Sequence, residues 1–71
     1  MMHLVAILSE GIMETYLNDT QIAAIFSVHR MTIWRWVKSD PAFPKPIRLS
    51  SRCTRWKKSD VDAWEAKKAA A

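Results

Sequence analysis

A chain of 71 residues holds one domain at most, with a core near the lower size limit for independent folding. With 49% hydrophobic and 25% charged residues it has a globular rather than a disordered composition, and its four tryptophans supply the large apolar surfaces that so small a core requires. The single cysteine, Cys53, excludes an internal disulfide framework and fits a reducing, cytoplasmic setting; with only His3 and His29 beside it, no structural zinc site is expected.

The opening MMHLVAIL carries no Lys or Arg, and its apolar run from Leu4 to Leu8 is too short for a signal or a membrane span. Neither secretion nor a membrane partner is expected. Met13 begins METYLND, which would itself serve as a chain start, so residues 1–12 read either as an extension or as sequence ahead of the true start. Residues 1–14 are taken as an N-terminal extension, a flexible or interaction segment, and residues 15–71 as the domain proper.

Asn18 is a favourable N-cap, and Gln21 three positions on completes a capping-box pattern. Ile22, Ile25 and Phe26 then fall at i, i+3 and i+4, which predicts one apolar stripe on a short helix stopping near Ser27. Ala23 and Ala24 leave room for a second helix to cross closely. Val28 is the one apolar residue of the turn, and His29 is read as the cap of the next helix or a neighbour of phosphate. In that helix, residues 30–39, Ile33, Trp36 and Val37 repeat the same spacing. Met31, Arg35 and Lys38 are centred on the opposite side, with Arg30, Thr32, Trp34 and Ser39 towards its margins. Asp40-Pro41 ends the helix, because proline disfavours a helical residue before it. Two short helices joined by about three residues, the second with a basic and polar face, form a helix-turn-helix pattern.

The segment PAFPKP cannot be helix interior and is read as an extended strap. Ile47-Arg48-Leu49 alternates, Ser50-Ser51-Arg52 supplies a turn, and Cys53 to Trp56 returns, giving a small β-hairpin with Arg52 near its tip. Ser59 is read as the cap of a last helix, with Asp60 and Asp62 suited to its N-terminus. Val61 and Trp64 are its buried pair, and the Lys67 and Lys68 stems cover the edge. The fold class expected is mainly α with a small β-hairpin, a winged helix-turn-helix.

Charge follows the same map. Residues 1–29 contain no Lys or Arg, whereas residues 30–58 set nine of them against Asp40 alone, a local charge of +8. A segment so basic is the electrostatic footprint of a polyanion-binding surface, the bland alternative being an ordinary solvated face. On double-stranded DNA, phosphate contacts give affinity and register while side chains at base edges give sequence preference. Arg30 and Arg35 are the leading base readers, because a guanidinium fork engages guanine O6 and N7 together. Thr32 suits a base edge, a phosphate or a thymine methyl. Met31 suits an apolar base contact or, equally, a protein contact, and Lys38 suits phosphate.

In the wing, residues 47–56, Arg48, Arg52 and Arg55 lie on or beside the hairpin tip, with Arg52 placed to enter a minor groove. Lys57 and Lys58 precede a helix N-terminus and are expected to reach phosphate together with its free amides. Trp34 is assigned to packing against the last helix or the wing. Trp36, Trp56 and Trp64 are assigned to the core, since a platform for single strands would gather its aromatics on one exposed sheet face. Cys53 is read as a small buried residue of the wing strand. The sequence has no Ser-His-Asp set, metal cluster or glycine-rich phosphate loop, so neither enzymatic activity nor a cofactor is expected.

VHRMTIWRWVK in the second helix, FPKPIRL in the strap and RCTRWKKSDVDAW from wing to last helix carry a resemblance. Over Tyr16 to Trp64 the chain resembles the AlpA family of small prophage regulators, which is related to phage excisionases and to MerR-like winged-helix DNA-binding domains. Three positions depart from the usual pattern. Ser27 stands where the turn often has glycine, His29 where Ser or Asp is the usual cap, and Ser50-Ser51 where the wing tip is often glycine-rich. The resemblance implies a DNA-binding transcriptional regulator of a prophage or mobile element, acting at the bacterial nucleoid. The alternatives are an excisionase, bending attachment-site DNA for an integrase, and an adaptor that keeps the fold without binding DNA. The head of a packaging subunit would need a long helical extension that is missing. Expected partners are double-stranded DNA, an integrase or recombinase, and further copies of the chain bound cooperatively.

Overall fold

The structure, a computed structural model, describes residues 14–71, so the expectations for residues 1–13 lie outside it. Strand β1 (Tyr16–Leu17) is followed by helices α1 (Asp19–Phe26) and α2 (Arg30–Ser39), strands β2 (Ile47–Ser50) and β3 (Cys53–Lys57), and helix α3 (Lys58–Ala70).

Helix α1 begins as its sequence dictates. Asn18 Oδ1 accepts the Gln21 N–H and Gln21 Oε1 accepts the Asn18 N–H, both at 2.8 Å, so two otherwise unpaired amides are satisfied reciprocally. The helix stops at Ser27, which takes the left-handed conformation at φ 56°. Val28 N–H then reaches back to Ala23 O at 2.9 Å. The apolar stripe differs from the expected one: Ile22 is fully buried and Phe26 half-buried, but Ile25 is 49% exposed. Ala23 completes the inward face instead. At about 100° per residue, Ile25 lies roughly 100° from the centre of the arc formed by Ile22, Phe26 and Ala23. Of the two alanines, Ala23 is buried and Ala24 is exposed.

His29 caps α2, its Nδ1 accepting the Met31 N–H at 3.1 Å. Ile33 is fully buried, and Trp36 and Val37 pack on the core half-buried. Asp40 ends the helix in an extended conformation, and its Oδ1 accepts the Ala42 N–H at 2.9 Å. That turn swings Phe43 into the core between Trp36 and Trp64, with ring centroids 5.8 and 5.0 Å away. The strap is thus a structural part of the core, and Phe43 is 1% exposed.

The hairpin is present, and a third strand joins it. The antiparallel sheet runs β1-β3-β2, pairing Leu17 with Trp56, Tyr16 with Lys57, Ile47 with Arg55 and Arg48 with Thr54, with an irregularity after Arg48. Strand β1 is too short to show alternation in sequence, but it buries Leu17 beside Trp56. Cys53 in β3 is only half-buried, because it lies at the end of the hairpin away from the core.

Helix α3 packs Val61 and Trp64 inward. Its start differs from the expected one. Lys57 is the N-cap residue without a side-chain cap, and Ser59 lies inside the helix. The first amides are satisfied from across the molecule: Lys58 N–H donates to Thr15 O at 2.7 Å, and Ser59 N–H to Glu14 Oε2 at 3.4 Å. The Ser59 hydroxyl donates to Glu14 Oε1 at 2.8 Å. A carboxylate 45 residues away thereby does the work expected of the serine. No helix of the described residues is long and apolar enough to cross a membrane.

Candidate nucleic-acid interface

The outward face of α2 follows from burying Ile33. Met31, Arg35 and Lys38, one turn apart along the helix, are exposed and with half-buried Trp34 line a shallow depression of about 240 Å³. Among the described residues, neither Arg35 nor Lys38 has an ion-pair partner. Cations left unpaired around an apolar floor are free to take phosphate or base-edge acceptors.

The margins of that face are more constrained. Thr32 is half-buried, and its N–H bonds His29 O at 2.8 Å. Arg30 is exposed but tethered, its Nη1 standing 3.3 Å from Asp19 Oδ2. The same oxygen accepts the indole N–H of Trp34 at 2.8 Å. Burial alone would raise the Asp19 carboxyl; the Trp34, Thr20 and Arg30 donors outweigh it, and the group is held below the ordinary 3.8. Trp34 packs on Trp56 of β3 at 5.1 Å, which ties α2 to the wing.

The sheet separates the wing cations. Paired residues in an antiparallel sheet share a face, and successive residues alternate. Arg48, opposite Thr54, therefore lies on the same side as Trp56, the side that packs on α2. Arg55 and Lys57 lie on the other. Arg55 is half-buried and donates from Nη1 to Thr54 O at 2.9 Å. Arg52 sits exposed in the turn at the hairpin tip. Lys58 is an exposed residue of α3 paired with Asp62 at 2.9 Å. Of the amides expected to meet phosphate beside Lys57 and Lys58, those of Lys58 and Ser59 are not free, since Thr15 and Glu14 accept from them.

Three residues make contacts that no local pattern signals. Phe43 is hidden by its flanking prolines, Lys45 donates to Val37 O at 3.4 Å at the end of α2, and Asp19 acts on residues 11 and 15 positions away. An acid in a first helical turn is ordinarily assigned to the helix dipole, so nothing local marks Asp19 as a partner of Arg30 and Trp34. Among the described residues, no group of His, Cys, Asp and Glu side chains could hold a metal ion.

A helix-turn-helix whose second helix leads through a strap into a three-stranded antiparallel sheet and a closing helix is a small winged helix-turn-helix fold. The family model described as Prophage CP4-57 regulatory protein (AlpA) matches residues 16–69, from the first strand almost to the end of the last helix. The chain belongs to the AlpA family of prophage regulatory proteins. Among curated proteins and solved structures, none matches it.

Proposed function

We propose that the chain binds double-stranded DNA sequence-specifically as a transcriptional regulator, with α2 in the major groove and the wing on the backbone or in the minor groove. The observation that carries this is the face of α2. Met31, Arg35 and Lys38 converge on one open depression, and both cations lack intramolecular ion pairs among the described residues. Arg35 reads a guanine edge, Met31 makes an apolar base contact and Lys38 meets phosphate. Arg30 reads from the N-terminal margin of the helix and Thr32 supports it. Arg48 and Arg52 continue the basic surface onto the wing, while Arg55, Lys57 and Lys58 add long-range attraction to the duplex.

One module of this size buries about 600–1,000 Å² of its own surface on DNA, so two or more copies share a site. The protein works in the bacterial cytoplasm. A footprint on the DNA flanking its own gene tests the function directly. A protected site within a promoter, with affinity falling steeply as salt rises, is the expected result. Protection confined to an attachment site would assign the protein to recombination instead. Salt-independent binding, or none, would exclude DNA as the ligand.

A further inference from the structure

Asp19 is used twice, and only one use belongs to its own helix. Its Oδ1 accepts the Thr20 N–H at 2.7 Å, an ordinary arrangement for an acid in a first helical turn. Its Oδ2 serves the next helix, accepting from Trp34 Nε1 at 2.8 Å and from Arg30 Nη1 at 3.3 Å. The two partners differ in freedom: the Asp19 side chain is 21% exposed and that of Arg30 is 55% exposed. The carboxylate is fixed through the core, because Trp34 packs on the buried Trp56 ring, whose own N–H is anchored on Pro44 O at 2.9 Å. A rigid anion therefore holds a solvent-exposed guanidinium at the N-terminal end of the DNA-facing helix.

We propose that Asp19 is a specificity-determining positioning residue, which converts Arg30 from a phosphate-binding cation into an oriented reader of a guanine edge. The inference rests on the α2 face meeting DNA. A carboxylate at this distance cancels much of the attraction that Arg30 offers to any phosphate, so binding to arbitrary sequence weakens. The guanidinium keeps donors that Asp19 does not use, and their direction is set before the duplex arrives. Orientation favours the matching base, and charge cancellation disfavours all other DNA. Both effects raise the ratio of specific to non-specific binding.

The test uses the full chain, a duplex that the unaltered protein selects from a randomised library, and sheared genomic DNA as the non-specific probe. Asp19→Asn keeps an oxygen for the Trp34 N–H but removes the charge. The specificity ratio is expected to fall about tenfold, the scale of one good base contact. Binding to sheared DNA should tighten, with a salt slope steeper by about 0.9, the increment of one added phosphate contact. Adding Arg30→Ala should erase the gain on sheared DNA. Glu65→Gln, which raises net charge equally on the exposed side of α3, should change neither quantity.

Equal weakening on both DNAs with an unchanged slope would mean that Asp19 only supports the fold, and would overturn the proposal. If Asp19→Asn does not fold, Arg30→Lys decides. The ammonium keeps the charge and loses the fork, so the ratio should fall while the slope stays the same; an unchanged ratio overturns the proposal. Failure of the unaltered protein to select any duplex, with flat salt dependence, would remove the DNA-binding reading itself. A selective parent with Asp19→Asn indistinguishable from it would remove only the role of Asp19.

Discussion

The indole N–H of Trp64 donates to Asp40 Oδ2 at 3.2 Å, joining the last helix to the residue that ends α2. Lys68 reaches the same oxygen at 3.2 Å, its ammonium 5.6 Å from the centre of the Trp64 ring. Asp19 makes the corresponding set with Trp34 and Arg30. Helix α2 is thus held towards each end by a carboxylate that binds one tryptophan and one cation. Its orientation depends on both.

These carboxylates make stability depend on pH. The Ala42 amide, then Trp64 and Lys68, hold the Asp40 carboxyl below the ordinary 3.8. The Ser59 hydroxyl holds the Glu14 carboxyl below 4.5. A depressed value in the folded state means that the unfolded chain takes up protons first as pH falls. The stabilisation is complete above pH 4.5 and is lost on acidification through 3.8 and the lower folded values. Thermal melts should fall as the pH drops below about 4. Asp40→Asn should make that drop shallower.

The strap predicts a sharp contrast in stability. Phe43→Ala should cost about 3–5 kcal/mol, as expected for a buried phenylalanine whose cavity is lined by two tryptophans. Ile25→Ala, on the exposed side of α1, should stay within about 0.5 kcal/mol. Urea unfolding followed by tryptophan fluorescence measures both.

Ser27 holds the left-handed conformation that glycine adopts without a Cβ clash. Relief of that clash is worth about 1–2 kcal/mol, and the greater freedom of glycine in the unfolded chain takes back about 0.5–1 kcal/mol. Ser27→Gly should therefore raise the urea midpoint, by up to about 1.5 kcal/mol of stability. Ser27→Val should lower it.

On DNA, Arg35→Ala should cost about 1–3 kcal/mol on the preferred duplex and relax the preference at one position. Lys38→Ala should weaken all sequences alike and reduce the salt slope by about 0.9. The two sides of the sheet predict a difference within the wing. Arg48→Ala should weaken binding more than Arg55→Ala, because Arg48 shares the side of Trp56 and Arg55 lies on the other, held to Thr54 O. Titrations of single variants at two salt concentrations separate these cases.

Local patterns sufficed wherever the interactions are local. The capping box at Asn18 and Gln21, the turn at Ser27, the His29 cap, the span of α2, the stop at Asp40 and the hairpin turn at Arg52 all depend on neighbours within a few residues. The apolar periodicity also placed Ile33, Val61 and Trp64 inward. The coincidence of a basic segment with this pattern, and the likeness of three short stretches to one family, were equally legible, and the family match over residues 16–69 agrees with them.

What the sequence by itself did not determine is each contact made across the chain. Two residues of β1 have no periodicity to read until β3 pairs with them. Ser59 has the chemistry of a cap, but its hydroxyl is committed to Glu14, 45 residues away. Arg30 and Arg35 look alike in sequence, and only packing makes them different: one is tethered by Asp19 and the other stands open beside Met31 and Lys38. Sequence determined the faces of this protein because helical and strand periods are backbone properties. Tertiary structure decided which charges on those faces are free, because charge pairing depends on distance through space.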